Sequence, residues 1–178
     1  DVMLRIYQSW DMGYSAVESV DFATGHVLGR VPMMFKLFSF GNLAPRYVIE
    51  NCRAALDAPG EWFLDRKAGK VLYVPRPDEK AAETTAVYPL VDCAIRMRGA
   101  KNVTVDGVSV EHVAWNMPKE GFANKQAAYN VKAAAIDVQA CEGVVFRDCR
   151  VAHAGAHGVW IAAVSKDCGL EHALVEDV

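Results

Sequence analysis

The side chains best suited to chemistry lie in the second half of the chain. In "AAIDVQA", strict alternation turns Ile136 and Val138 inward and Asp137 outward; in "GVWIAA", Val159 and Ile161 turn inward and Trp160 outward. Where two such strands are neighbours, Asp137 and Trp160 share one outer face. A carboxylate beside an indole suits a sugar, since the acid bonds hydroxyls or exchanges protons and the ring stacks on C–H faces. Asp137 is therefore the first catalytic candidate, and Trp160 the first binding candidate.

A second set is His112, His153 and Asp177, each closing a similar strand-like run. A carboxylate next to an imidazole favours the imidazolium, so a His–Asp pair can tune a proton donor. His153 and Asp177 are read as catalytic candidates and His112 as a binding one, with a polar ladder capping turns as the alternative. Glu111 and Glu176 flank this set and read as solvated. In "HAGAH", His153 and His157 would align as two ligands on a helix, but Gly155 and the strand rhythm argue against a helix. No third ligand stands at metal spacing, so neither a metal site nor a cofactor is expected. His157, in a turn, and Trp115, opening a long loop in "EHVAWNMPKEGF", are the remaining binding candidates. For Trp115, anchoring that loop is an equal alternative. Asp148 falls at a turn and reads as structural.

These residues need strands to position them. With 52% hydrophobic and 23% charged residues, the chain can bury a core. A net charge of −3 gives no electrostatic footprint for nucleic acid. No apolar run approaches the ~20 residues that span a bilayer; "VPMMFKLFSF" is short and broken by Lys36. Five cysteines without a C-x-x-C pair read as free, buried thiols.

The first half, 1–86, reads as a small antiparallel β-domain. "VMLRIYQ" and "SAVESVDF" alternate with period two. "DFATGHVL" and "DRKAGKVL" share Asp-x-x-x-Gly-[His/Lys]-Val-Leu, the chemistry of a hairpin whose Asp caps turn amides and whose Gly takes positive φ. "ENCRAALD" predicts a turn or two of helix capped by Asn51, and Pro59-Gly60 a type II turn. Glu61 and Asp65, in "LDAPGEWFLDRKAGKVLYVP", then serve backbone donors rather than catalysis.

From 87 to 178 the rhythm becomes short strands separated by Gly, Asn, Asp or Cys. Phe146 superposes on Leu170 at an offset of 24 (170 − 146), and Val103 on Val144 at 41 (144 − 103). A repeat in the low twenties built of strands predicts a solenoid such as a parallel β-helix, with the extra residues of the longer interval in a loop at about 113–133.

The segments "RYVIENCRAALDAPGEWFLDRKAGKVLYVPRPDE", "NVTVDGVSVEHVAW" and "FRDCRVAHAGAHGVWI" resemble a group of mainly bacterial, exported right-handed parallel β-helix proteins of the glycoside hydrolase type. The group carries a small β-domain with a Pro-Gly-Glu-Trp hairpin. The resemblance implies an all-β chain, a carbohydrate substrate, and a secreted or periplasmic place, although no leader is visible at Asp1. Members continue with further coils where this chain reaches "VEDV". It therefore looks like a fragment, whose open coil end either is covered by a homo-oligomer or leaves the fold marginal and aggregation-prone.

Glycoside hydrolysis uses two carboxyl groups ~5–5.5 Å apart for retention and ~6.5–9.5 Å for inversion. Parallel strands stack ~4.8 Å apart, so acids one or two coils apart approach these separations. A polysaccharide lyase shares the architecture but needs Ca²⁺ or Arg and a base; Arg147 and Arg150 are available without forming a cluster. A non-catalytic carbohydrate-binding or structural segment is the other alternative.

Overall fold

The structure, a computed structural model, describes residues 2–8, 10–37, 46–80, 82–123, 131–162 and 164–178. Among these the chain is all-β and falls into two compact units, 1–85 with 117–130, and 86–116 with 131–178. No described helix is long and apolar enough to cross a membrane.

In the first unit, β1 (Met3–Tyr7), β2 (Met12–Asp21), β3 (His26–Gly29) and β4 (Arg46–Glu50) form an antiparallel sheet, with β1 between β2 and β4. The first Asp-to-Gly motif closes the β2–β3 hairpin. Asp21 Oδ1 accepts the Ala23 amide at 2.9 Å, and Gly25 turns at φ 73°. The second closes β5 (Trp62–Asp65) onto β6 (Lys70–Tyr73), where Asp65 accepts the Ala68 amide at 2.9 Å. Glu61 Oε2 accepts the amides of Asp57 and Ala58, both at 2.9 Å, and these bonds hold its carboxyl below the usual range. It serves the turn, as its place beside Pro59-Gly60 predicts.

The helix expected over "ENCRAALD" is only a 3-10 turn, Arg53–Ala55, entered from Cys52. Asn51 does not cap it. At φ 50°, Asn51 instead bonds Leu64 through both ends of its amide, accepting from N at 2.8 Å and donating to O at 3.2 Å. Pairing with a strand backbone satisfies the amide better than a single cap would.

In the second unit nine strands make three layers. They are β7 (Ile95–Arg98), β8 (Lys101–Asp106) and β9 (Ser109–Val113); β11 (Ala134–Gln139), β12 (Glu142–Arg147) and β13 (Arg150–Ala154); β14 (His157–Ile161), β15 (Gly169–Glu171) and β16 (Leu174–Glu176). Corresponding strands pair in parallel, giving three small sheets, β14-β11-β7, β15-β12-β8 and β16-β13-β9. The register is the one the spacing predicts: Phe146 lies between Val105 and Leu170, and Val144 beside Val103. One face departs from it. Val138 pairs with Ile161, a shift of 23 (161 − 138), and the missing residue is restored before the Glu142–Lys166 bridge.

Inward columns form the core. Ile136, Val144, Phe146 and Val151 of the middle layer are each 1% exposed, because a layer covers them on either side. Layers turn corners at positive φ, again in columns: Gly107, Asp148 and His172; Asn102, Gly143 and Asp167; Gly99, Ala140 and Val164; His112, His153 and Asp177. Gly, Asn, Asp and His tolerate this conformation best, which explains the punctuation seen in the sequence. All five cysteines are free, and Cys141 and Cys149 are buried.

The long loop expected at 113–133 contains a strand. β10 (Gly121–Ala123) pairs antiparallel with β2 and belongs to the first unit's sheet. A Cβ on Gly121 would lie 2.2 Å from the Tyr14 carbonyl, so this pairing requires glycine there. Residues 124–130 of the loop, like 38–40 of "VPMMFKLFSF", lie outside the described residues.

Candidate functional site

The turn at 155–156 joins β13 to β14, and the candidate residues gather on its two sides. On the β13 side, the corner column stacks His112, His153 and Asp177, one from each layer. The two imidazoles lie 4.9 Å apart at 15°, close to the ~4.8 Å strand spacing that sets them face to face. His153 Nδ1 and Asp177 Oδ2 are 2.6 Å apart, with His153 less than half exposed and Asp177 open to water. A carboxylate can only accept, so Nδ1 carries the hydrogen and Nε2 faces away from this contact. No hydrogen bond among the described residues engages Nε2. His112 Nε2 lies 3.9 Å from Glu111.

Trp115 packs at the same corner. Its backbone nitrogen would be 2.8 Å from a Cβ on Gly155, and the Gly155 amide donates to the Val113 carbonyl at 2.8 Å. Half-buried, Trp115 anchors the departing chain as well as edging the site.

On the β14 side, Trp160 pairs with Asp137 across the ladder. The Trp160 ring lies 5.2 Å from that of His157, tilted by 44°, and His157 Nε2 donates to the Val131 carbonyl at 3.2 Å. His157 is the first residue of β14 rather than a free turn residue. The two rings form a partly exposed platform.

Asp137 is brought to this face as expected, but it is only 7% exposed. Arg98 Nη2 donates to its Oδ2 at 2.5 Å, Gln139 Nε2 to Oδ1 at 3.0 Å, and Arg96 Nε stands 3.8 Å away. Arg98 Nη1 also reaches the Asp137 carbonyl at 3.2 Å, so one guanidinium clamps backbone and side chain together. This carboxylate is a bound counter-ion. The arginines escaped the sequence reading although a signal existed: "AIRMRG" alternates Arg96 and Arg98 outward, in the columns of Asp137 and Gln139.

Arg150, read from the sequence only as an available cation, is likewise engaged. It donates to Glu176 through Nε at 2.9 Å and Nη2 at 2.6 Å, and to Glu111 through Nη1. These two acids, read as merely solvated, are held by one cation, and the Glu176 bond is the main reason the guanidinium's pKa is raised. Among the described residues no group of three or more His, Cys, Asp or Glu gathers closely enough to hold a metal ion.

Comparison with known proteins adds no relative: no family model, no curated protein and no solved structure matches the chain.

Proposed function

We propose that the chain is part of a carbohydrate-active protein in which the layered unit is a stretch of right-handed parallel β-helix, and that its reaction is glycoside hydrolysis. In this reading a glycan lies over the turn at 155–156. Trp160 and His157 offer ring faces to the sugar, with Trp115 and His112 at the opposite edge. His153 transfers the proton: Asp177 holds Nδ1 and stabilises the imidazolium, Nε2 gives its hydrogen to the departing glycosidic oxygen as the C–O bond breaks, and a solvent water adds to the anomeric carbon and releases its proton to the medium. Asp137, first among the acids by sequence, becomes a positioning group: through Arg98 it ties β7 to β11, the strand on which Trp160's strand pairs.

The observation that supports this reading best is the exposed His153–Asp177 contact, 2.6 Å long, with the His157–Trp160 ring pair following in the next strand of the chain. The engagement of Asp137 by Arg98 and Gln139 favours a second reading, non-catalytic glycan binding, because it removes one of the two acids hydrolysis ordinarily uses.

The test incubates the full chain with a panel of plant and mucin polysaccharides and measures new reducing ends and retention on the same glycans. Hydrolysis predicts release, cut by about 10²–10⁴-fold in His153→Gln with retention kept. Retention without release establishes the binding reading. Unsaturated products would instead reveal a lyase, and a chain that neither retains nor cleaves any glycan refutes both proposals.

A further inference from the structure

The outer face that carries Trp160 holds more positive charge than its own acid uses. One outward row runs Arg96, Asp137, Trp160, a residue from each layer, and Arg98 lies beside Gln139 in the next row. Asp137 is satisfied without Arg96: its Oδ2 accepts from Arg98 Nη2 at 2.5 Å and its Oδ1 from Gln139 Nε2 at 3.0 Å. Arg96 Nε stands 3.8 Å off, beyond hydrogen-bond reach, on a side chain that is 57% exposed. Among the described residues, neither arginine lies within ion-pair distance of any other carboxylate. Two guanidiniums thus share one acid, and one positive charge is left over.

That surplus is placed where a bound glycan can read it. Arg96 and Trp160 flank Asp137 in the same row, two strand spacings or about 10 Å apart along the backbone. The long side chain of Arg96 and the span of a disaccharide both bridge such a gap. Among the described residues the two Nη groups of Arg96 donate to nothing, which leaves a planar fork open for a two-oxygen anion. β7 is the edge of its sheet opposite β14, so a further strand laid against β14 leaves Arg96 uncovered. A neutral sugar stacked on the indole has no use for this cation.

We propose, resting on the carbohydrate reading above, that the glycan of this face is acidic: the carboxylate of a uronic acid unit pairs with Arg96 while an adjoining sugar stacks on Trp160. Arg98 neutralises Asp137, so the ligand's carboxylate meets an uncompensated cation rather than a balanced pair. The carboxylate that the chain buries and the carboxylate it binds are thus handled by two different arginines.

The test titrates the full chain calorimetrically with trigalacturonate and with a hyaluronan tetrasaccharide, each compared with its own methyl ester, the same sugars without the charge. At least one acid should bind roughly ten-fold tighter than its ester, the worth of a charge-assisted hydrogen bond at a partly open site. Added salt should narrow the difference. Arg96→Gln should bring the acid down to the ester's affinity and leave the ester's unchanged, and Arg96→Lys should restore only part of the gain. Acid and ester binding equally, or a preference that survives Arg96→Gln, overturns the inference. Tighter binding of a uronate-free keratan sulfate tetrasaccharide assigns the anion to sulfate and overturns the carboxylate. If neither acid binds while neutral glycans are retained, only the acidic assignment fails; if no glycan of any charge is retained, the carbohydrate reading fails with it. The acid–ester comparison needs no variant, so it decides the matter even where a substituted chain does not fold.

Discussion

Val164 should be a liability that glycine relieves. It occupies the corner column of Gly99 and Ala140 at φ 68°, and its side chain is 85% exposed. An L-residue in the left-handed region costs about 1–2 kcal/mol, and a β-branched one stands at the upper end. Val164→Gly recovers that cost and forfeits little burial, while the freer unfolded chain takes back about 0.5–1 kcal/mol. The net expectation is a gain of about 0.5–1 kcal/mol. The reverse change is Gly107→Ala, at φ 67°, where an added Cβ meets nothing within 4 Å. Its cost is backbone strain alone, about 1 kcal/mol. Urea unfolding followed by tryptophan fluorescence, with unchanged m-values, measures both. Loss of stability in Val164→Gly, or indifference to Gly107→Ala, would refute the claim that these corners are set in columns by backbone conformation.

Removal of the Asp137 carboxylate leaves Arg98 and Arg96 without their shared counter-ion. Because those side chains are 43% and 57% exposed, water recovers much of their solvation. Asp137→Ala should therefore cost about 1–2 kcal/mol in denaturant unfolding, below the 3–5 typical of a fully buried pair; no measurable cost would mean the clamp is ornamental. In the first unit, backbone N–H bonds from Ala58 and Asp57 lower the pKa of Glu61. A depressed folded pKa contributes stability above the ordinary glutamate range, lost as pH falls through the depressed value. Glu61→Gln should flatten the acid limb of a stability–pH curve, and an unaltered slope would show that the turn does not depend on the charge.

The layers were legible because their spacing is a repeat: once Phe146 is set on Leu170, pairing partners follow for β12 with β15 and β13 with β16. Asp137 and Trp160 were likewise legible from alternation alone. Burial was not. Period two assigns a residue to a face but says nothing about what lies over it, and Asp137 is covered by arginines from a strand about forty residues earlier. The insertion at 113–133 was opaque for a related reason. A three-residue strand such as β10 has too little pattern to register, and its pairing is set by the partner strand β2 and the close approach at Gly121.

The acids of the layered unit differ in what they have left to give. Asp106, Glu111, Glu142, Glu171 and Glu176 each lie within an ion pair that spans layers, and Asp137 is held by Arg98. Those pairs tie neighbouring layers in register, and exposed pairs of this kind contribute little stability individually. Asp177 and Asp148 differ from these in facing imidazoles, and of the two the His153–Asp177 contact is the close one, 2.6 Å against 3.8 Å for His172–Asp148. An imidazole can both donate and accept a hydrogen where a guanidinium only donates, so the proposed proton transfer is assigned to the His153–Asp177 corner and the arginine-bound acids to alignment. If a glycan is cleaved at this face, the rate must therefore follow His153. A rate indifferent to His153→Gln but abolished by Asp137→Asn would move the chemistry to the opposite side of the 155–156 turn.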